Sequence, residues 1–172
     1  MGLTPLEGLV MGTRAGDLDA GVLSFLSGHL GYDAARMDTL LNKQSGLMGL
    51  CGQSDWRSVN AAAKDGDAHA ALARSVFIER IRKYLGAYLV KLDGACDAIV
   101  FTGGIGENDP TLREDVCARL SSFGIGIDPA KNAVRGEFAH VNAADATVRA
   151  LVIPTNEELS MALQSARAVG LL

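Results

Sequence analysis

The sequence predicts an α/β fold on three observations. The apolar run 98–101, Ala-Ile-Val-Phe, reads as a strand. It leads into Thr102-Gly103-Gly104-Ile105-Gly106-Glu107-Asn108 and then Asp109-Pro110, which opens a helix. Before it, residues 67–92 carry apolar side chains at helical spacing: Ala71, Leu72, Val76, Phe77, Ile81, Leu85, Tyr88 and Leu89. After it, residues 137–141 and 148–153 read as strands flanking a polar loop. Strand, glycine turn and helix in that order let backbone amides approach a nucleotide at the carboxyl end of a strand. The spacing is not a P-loop, because no Gly-Lys-Ser/Thr follows, and it is not GxGxxG. The same residues serve equally as a plain tight turn between a strand and a helix.

The other elements follow in chain order. Residues 1–18 are rich in glycine and turn signals and resemble the inside of a folded protein more than a true N-terminus. Asp19 is expected to cap a helix through Val22, Leu23, Phe25, Leu26 and Leu30, which Gly31 ends. A short helix is expected over 33–42, and a loop over 43–53 because of its three glycines. Ser54 and Asp55 can cap a helix over 56–64, broken by Asp65-Gly66-Asp67; Asp93-Gly94 closes the long helix. Asp109 caps the helix after the glycine turn, with Pro110 at its first position and an end near Ser122. Residues 124–129 read as a short strand and a turn. Thr155 is expected to cap a last helix over 156–169, with Glu158 completing a capping box.

With 172 residues, 48% of them apolar and only 5% aromatic, the chain suits one domain, or one and a piece of another, around an aliphatic core. A net charge of −4 argues against a nucleic-acid partner, and the run Arg80-Ile81-Arg82-Lys83 reads as a solvated helix face. Cys51, Cys96 and Cys117 are odd in number and widely spaced, which reads as free thiols in a reducing compartment. His29, His69 and His140 are scattered too, so a zinc site is not expected. No apolar run reaches the length of a membrane span and no leader is visible, so a cytoplasmic protein is expected.

Four stretches, taken in order, resemble the acetate and propionate kinase family. They are Met11-Gly12-Thr13-Arg14-Ala15-Gly16-Asp17; Ser45-Gly46-Leu47-Met48-Gly49-Leu50 leading to Asp55-Trp56-Arg57; Phe101-Thr102-Gly103-Gly104-Ile105-Gly106-Glu107-Asn108; and Ile153-Pro154-Thr155-Asn156-Glu157-Glu158-Leu159. The resemblance runs the length of the chain but implies only the C-terminal part, under half, of such a kinase. His29-Leu30-Gly31-Tyr32 resembles the family's His-Leu-Gly-Asn-Gly segment superficially, but lies in a helix and in the wrong order. The implied fold is the ribonuclease-H-like second domain of the sugar kinase, Hsc70 and actin superfamily, incomplete and lacking its first strands. Residues 1–155 would form most of the nucleotide-binding domain, and the helix 156–172 would pack on an N-terminal domain.

Phosphoryl transfer needs a cation on the transferring group, a metal on phosphate oxygens, in-line placement and exclusion of water. Arg14 suits the first need, because a guanidinium is permanently charged and can fork onto two oxygens; by resemblance it is the transition-state arginine. Taken alone, it reads more readily as a surface arginine in a glycine loop; the resemblance reverses that. By resemblance, Glu157 is the Mg²⁺ carboxylate, and Gly104, Ile105, Gly106, Glu107 and Asn108 contact the adenosine of ATP or ADP. Asp55, Trp56 and Arg57 would meet adenine, Arg57 by stacking; for Asp55 the reading as a helix cap is favoured. Trp56 and a loop one residue short depart from the family pattern. Pro5 would line the acyl pocket. Asp17 and Asp19 read as structural, since Ala20 stands where the family has proline.

Two functional readings follow. One is an ATP-dependent kinase of a short-chain carboxylate, acetate or propionate, with Mg²⁺ as cofactor and a homodimer formed through this domain. The other is a non-catalytic nucleotide-binding or dimerisation module, or one half of a split kinase. A Rossmann-like dinucleotide domain is disfavoured by the glycine spacing and by the late position of the strand.

Overall fold

A computed structural model describes residues 1–171. The chain divides into two compact units, Met1–Val90 and the residues from Lys91 on.

The first unit is helical: α1 (Gly21–Leu30), α2 (Ala34–Lys43), α3 (Gly46–Cys51), α4 (Trp56–Lys64) and α5 (Ala68–Lys91), which runs one residue past the boundary. Asp19 accepts a hydrogen bond from the Gly21 N–H at 2.7 Å, and the Tyr32 N–H closes α1 by reaching back to Leu26. Although α1 is apolar, it buries no side chain, and Phe25 and Leu30 stay exposed. Asp33 and Asp55 cap α2 and α4 as their side-chain type dictates. The expected loop over 43–53 is instead broken by α3. Its glycines conceal a helix whose first turn is held by another segment, so local propensity gave no sign of it. Along α5 the buried stripe is Ala70, Ala73, Phe77, Ile78 and Leu89. The expected positions Ala71, Leu72 and Tyr88 lie on the exposed side. The small alanines take the inward face, a choice periodicity cannot make when both faces offer apolar residues.

The second unit carries β1 (Ala98–Phe101), α6 (Gly103–Asn108), α7 (Pro110–Cys117), β2 (Ala139–His140), β3 (Arg149–Val152) and α8 (Glu157–Ala168). The sheet order is β1-β3-β2, with β1 and β3 parallel and β2 antiparallel to β3. Phe101 pairs with Val152, so both parallel strands deliver their carboxyl ends at one edge of the sheet. Val141, Ala150 and Val152 are fully buried, with Ile127, Val134 and Ala139 packed against them. The strand expected over 124–129 reduces to a single bridge between Ile127 and Asn142. Asp109 caps α7 with Pro110 in its first turn, but the helix ends at Cys117 and a separate 3₁₀ turn covers Ser121–Phe123. The cap of α8 is Asn156, whose side chain accepts from the Leu159 N–H at 3.0 Å, rather than Thr155, and the expected capping box with Glu158 does not form.

Candidate functional site

In the first unit the candidate residues include Arg14 and the loop that carries it. Its neck is closed by paired bonds between Gly8 and Asp17, the Asp17 N–H to the Gly8 carbonyl at 2.9 Å and the Gly8 N–H to Asp17 Oδ1 at 2.8 Å. The Tyr84 hydroxyl donates to Asp17 Oδ2 at 2.6 Å. This bond holds the Asp17 carboxyl below its ordinary range and pushes the Tyr84 phenol up to about 12. Asp17 is thus structural, as its sequence context implies.

The rest of the loop docks on α2 and α3. The Ala15 N–H donates to Leu41, the Thr13 hydroxyl to the Asn42 carbonyl, and the Ser45 N–H to the Thr13 carbonyl. The Met11 and Gly12 carbonyls accept from the Leu47 and Met48 N–H groups at 3.0 and 2.9 Å. These N–H groups lie in the first turn of α3, where helix donors have no partner of their own. Ser45 makes no side-chain cap, so the Arg14 loop caps this helix. The arrangement requires Gly46: its φ is +63°, and a Cβ there would overlap the Met11 carbonyl oxygen. Every neighbour of Arg14 in the loop is therefore pinned. Its guanidinium meets only the Met11 sulfur, at 3.8 Å, and has no carboxylate partner among the described residues. A fixed backbone carrying an uncommitted cation is what an anion-contacting arginine needs.

Asp55 caps α4 and also holds Arg57, whose Nε and Nη2 donate to its two oxygens at 3.2 and 2.9 Å. Arg57 lowers the Asp55 carboxyl to about 2. The Arg57 side chain remains 91% exposed, so its planar face is open. Trp56 points the other way: it is 5% exposed, with its ring centroid 4.6 Å from that of Phe77. The family resemblance grouped it with the adenine contacts, whereas its side chain is part of the core. Pro5 is half-buried in the turn-rich segment 1–8.

In the second unit, β1 ends at Phe101 and the chain turns into α6 through three glycines with different physical roles. Gly103 has φ +71°, a conformation L side chains rarely adopt. A Cβ on Gly106 would lie 3.3 Å from the Phe101 carbonyl carbon, so this glycine lets the helix press on the strand. A Cβ on Gly104 would meet nothing within 4 Å. Neither conformation nor internal packing therefore requires glycine at 104. Ile105 is half-buried, and the Asn108 side chain donates back to the Gly104 carbonyl at 3.0 Å.

Glu107 departs from its neighbours. It is only 8% exposed, and its Oε1 accepts from the Thr155 N–H at 2.6 Å, the Thr155 hydroxyl at 2.8 Å and the Gly103 N–H at 2.8 Å. These donors, Thr155 first, hold the carboxyl below its ordinary range. Oε1 is thus committed to Thr155 and Gly103, and the contact with adenosine expected at this residue rests on its backbone. Two residues after Thr155, Glu157 stands exposed in the first turn of α8 and makes no hydrogen bond or ion pair among the described residues. No group of three metal-ligating side chains occurs among the described residues.

Sequence reasoning missed Arg113 and Asn132. Arg113 is fully buried, and all five of its guanidinium N–H groups are engaged: Nε with Asn132 Oδ1, Nη1 with the Gly106 and Glu107 carbonyls, Nη2 with the Asn132 and Val134 carbonyls. Burial pushes its pKa down from the ordinary value. The signal was present in Pro110. The Gly106 carbonyl would normally accept from residue 110, and proline has no N–H to give. Arg113 supplies the missing donor and so braces the end of α6.

Arg14, Asp55, Trp56, Arg57 and Pro5 thus belong to the first unit, and residues 104–108 and Glu157 to the second. A model described as the acetokinase family matches residues 1–163. The acetate kinase of Nitratidesulfovibrio vulgaris is 53% identical over 163 residues, covering 94% of this chain and 40% of that protein. The crystal structure of Porphyromonas gingivalis acetate kinase is 42% identical with a TM-score of 0.91, covering 98% of this chain and 43% of that one. That of a propionate kinase from Francisella tularensis is also 42% identical, with a TM-score of 0.85 over 92% of this chain and 40% of that one. The chain therefore spans 40% to 43% of the length of these relatives. Its α/β fold is the acetate kinase fold, within the sugar kinase, Hsc70 and actin superfamily. On the breadth of the family match and the identity across nearly the whole chain, the protein belongs to the acetokinase family.

Proposed function

We propose that this chain is the C-terminal portion of an ATP-dependent kinase of short-chain carboxylates, forming ADP and acyl phosphate from ATP and acetate or propionate. The observation that carries the reading is Gly104, left open at the carboxyl edge of β1 in a chain 53% identical to an acetate kinase. An α/β nucleotide site lies at such an edge. The open position lets a flat, bulky group approach the backbone of residues 104–108; within the first unit, the exposed Arg57 plane is of a kind that stacks on an adenine ring.

Arg14 neutralises the transferring phosphoryl group from its pinned loop. A carboxylate oxygen attacks the γ-phosphorus as the bond to the bridging oxygen of ADP breaks. The nucleophile is already ionised at neutral pH, so no general base is required. Glu157 fits Mg²⁺ carried on nucleotide phosphates, because that ion takes one or two protein carboxylates and keeps its waters. When bound, the ion neutralises charge on the phosphate oxygens. Pro5 lines the acyl pocket. Residues 1–155 form most of a C-terminal nucleotide-binding domain lacking its first strands. The final helix packs on an N-terminal domain, in keeping with exposed Leu159, Met161 and Leu163 on α8, and a homodimer forms through this domain. The coverage of 40% to 43% of relatives favours a second reading for the chain by itself, a nucleotide-binding half without turnover.

The test titrates ATP, ADP and NAD with Mg²⁺ into the 172-residue chain and follows the unfolding midpoint, with acyl phosphate trapped as hydroxamate from acetate and from propionate. At a hundredfold excess over Kd, ATP should add about 2.7 kcal/mol, or about 5–10 °C. Gly104→Ala should be as stable as the parent or gain up to about 1 kcal/mol in α6, and Gly104→Val should lose the ATP shift. A shift with NAD and none with ATP overturns the proposal. An ATP shift without hydroxamate selects the second reading.

A further inference from the structure

Glu107 lies in the glycine turn, yet its carboxylate faces inward. β1 and β3 run parallel and end together, with the Ile153 N–H still bonded to the Phe101 carbonyl at 3.0 Å. Pro154 follows, and having no N–H it ends the ladder. The next donors on that segment, the Thr155 N–H and hydroxyl, both turn to Glu107 Oε1, which also takes the Gly103 N–H. One oxygen thus fastens the entry to α6 to the segment that opens α8, across 48 residues of sequence. Charge-assisted bonds of this kind are about twice as strong as neutral ones.

Resting on the carboxylate kinase reading above, we propose that Glu107 is a positioning residue: through Thr155 it holds the Glu157 carboxylate in fixed register with a nucleotide seated on the glycine turn. The Glu107 carboxylate touches neither nucleotide nor metal. It sets the distance between the elements that do, as hydrogen-bond partners behind a ligating group set its orientation. A neutral amide at 107 keeps shape and burial but weakens the three bonds and adds an NH₂ donor that the pocket does not need.

The experiment compares the full chain with Glu107→Gln, Thr155→Val and Thr155→Ser. ATP affinity is measured by calorimetry with and without Mg²⁺, and amide hydrogen exchange is followed at 103, 155 and the first turn of α8. The expected result is that Glu107→Gln and Thr155→Val cut the Mg²⁺-dependent gain in ATP affinity about tenfold. Affinity without Mg²⁺ should change less than threefold, exchange at α8 should rise, and Thr155→Ser should behave as the parent. An unchanged Mg²⁺ gain in both variants, with ATP still binding, overturns the inference even if the unfolding midpoint falls. A parent chain that binds no ATP overturns the kinase reading itself, and the two failures are told apart by whether the parent binds.

Discussion

Replacing Arg113 with methionine tests whether the glycine turn is braced from beneath. Methionine roughly keeps the volume and removes five hydrogen bonds. Of the five acceptors, the Glu107 carbonyl keeps another donor, the Gly136 N–H at 3.1 Å. The Gly106, Asn132 and Val134 carbonyls and Asn132 Oδ1 have no other among the described residues. Each buried acceptor left without a donor costs about 1–3 kcal/mol. Water entry and the apolar gain of methionine recover part of that, leaving a net loss of about 3–5 kcal/mol. For a chain of this length it appears as a fall in Tm of about 10 °C. Urea unfolding of parent and variant, with fluorescence and circular dichroism followed together, gives the free energy and checks two-state behaviour. A loss below about 1 kcal/mol would refute the accounting. Arg113→Lys sharpens the test. A lysine keeps the charge but has three donors on one atom and cannot span acceptors that the planar fork meets from three nitrogens. Recovery of parental stability by lysine would show that charge, not the fork, is what matters.

Two further outcomes follow from the first unit. Gly46→Ala forces a side chain into a left-handed conformation against the Met11 carbonyl, and should cost at least about 2 kcal/mol; a change under 0.5 kcal/mol by urea unfolding, on the order of measurement error, would mean the Arg14 loop is free to move away. The Tyr84–Asp17 bond predicts an alkaline step. The folded phenol is raised to about 12 from 10.0, so its contribution is full below pH 10 and is lost as pH rises through about 12. Tyr84→Phe should remove that step from the pH dependence of the urea midpoint and delete a phenol that ionises at about 12 from the ultraviolet titration. An identical alkaline profile in the variant would exclude the bond as its source.

Local chemistry alone determined much of this protein. The run Ala98–Phe101 is a strand because four apolar, mostly β-favouring residues precede a glycine turn. Asp33, Asp55 and Asp109 cap helices because a carboxylate meets free N–H groups within three residues. The four stretches that mark the family sit at Arg14, at Ser45 to Arg57, at the glycine turn and at the start of α8, and the family match spans them. What escaped the sequence depends on partners far along the chain. The helix at Gly46–Cys51 exists because carbonyls at Met11 and Gly12 cap it. Thr155 turns its N–H and hydroxyl to Glu107, 48 residues earlier, and the cap of α8 is Asn156, one residue on. Trp56 faces inward because Phe77 on α5 offers it a ring. Arg113 is buried because Asn132, 19 residues on, the Val134 carbonyl and the backbone of α6 together satisfy every donor it has. Periodicity and capping are read over three or four residues. A buried polar group is satisfied by whatever the fold places beside it, and only the tertiary structure decides that.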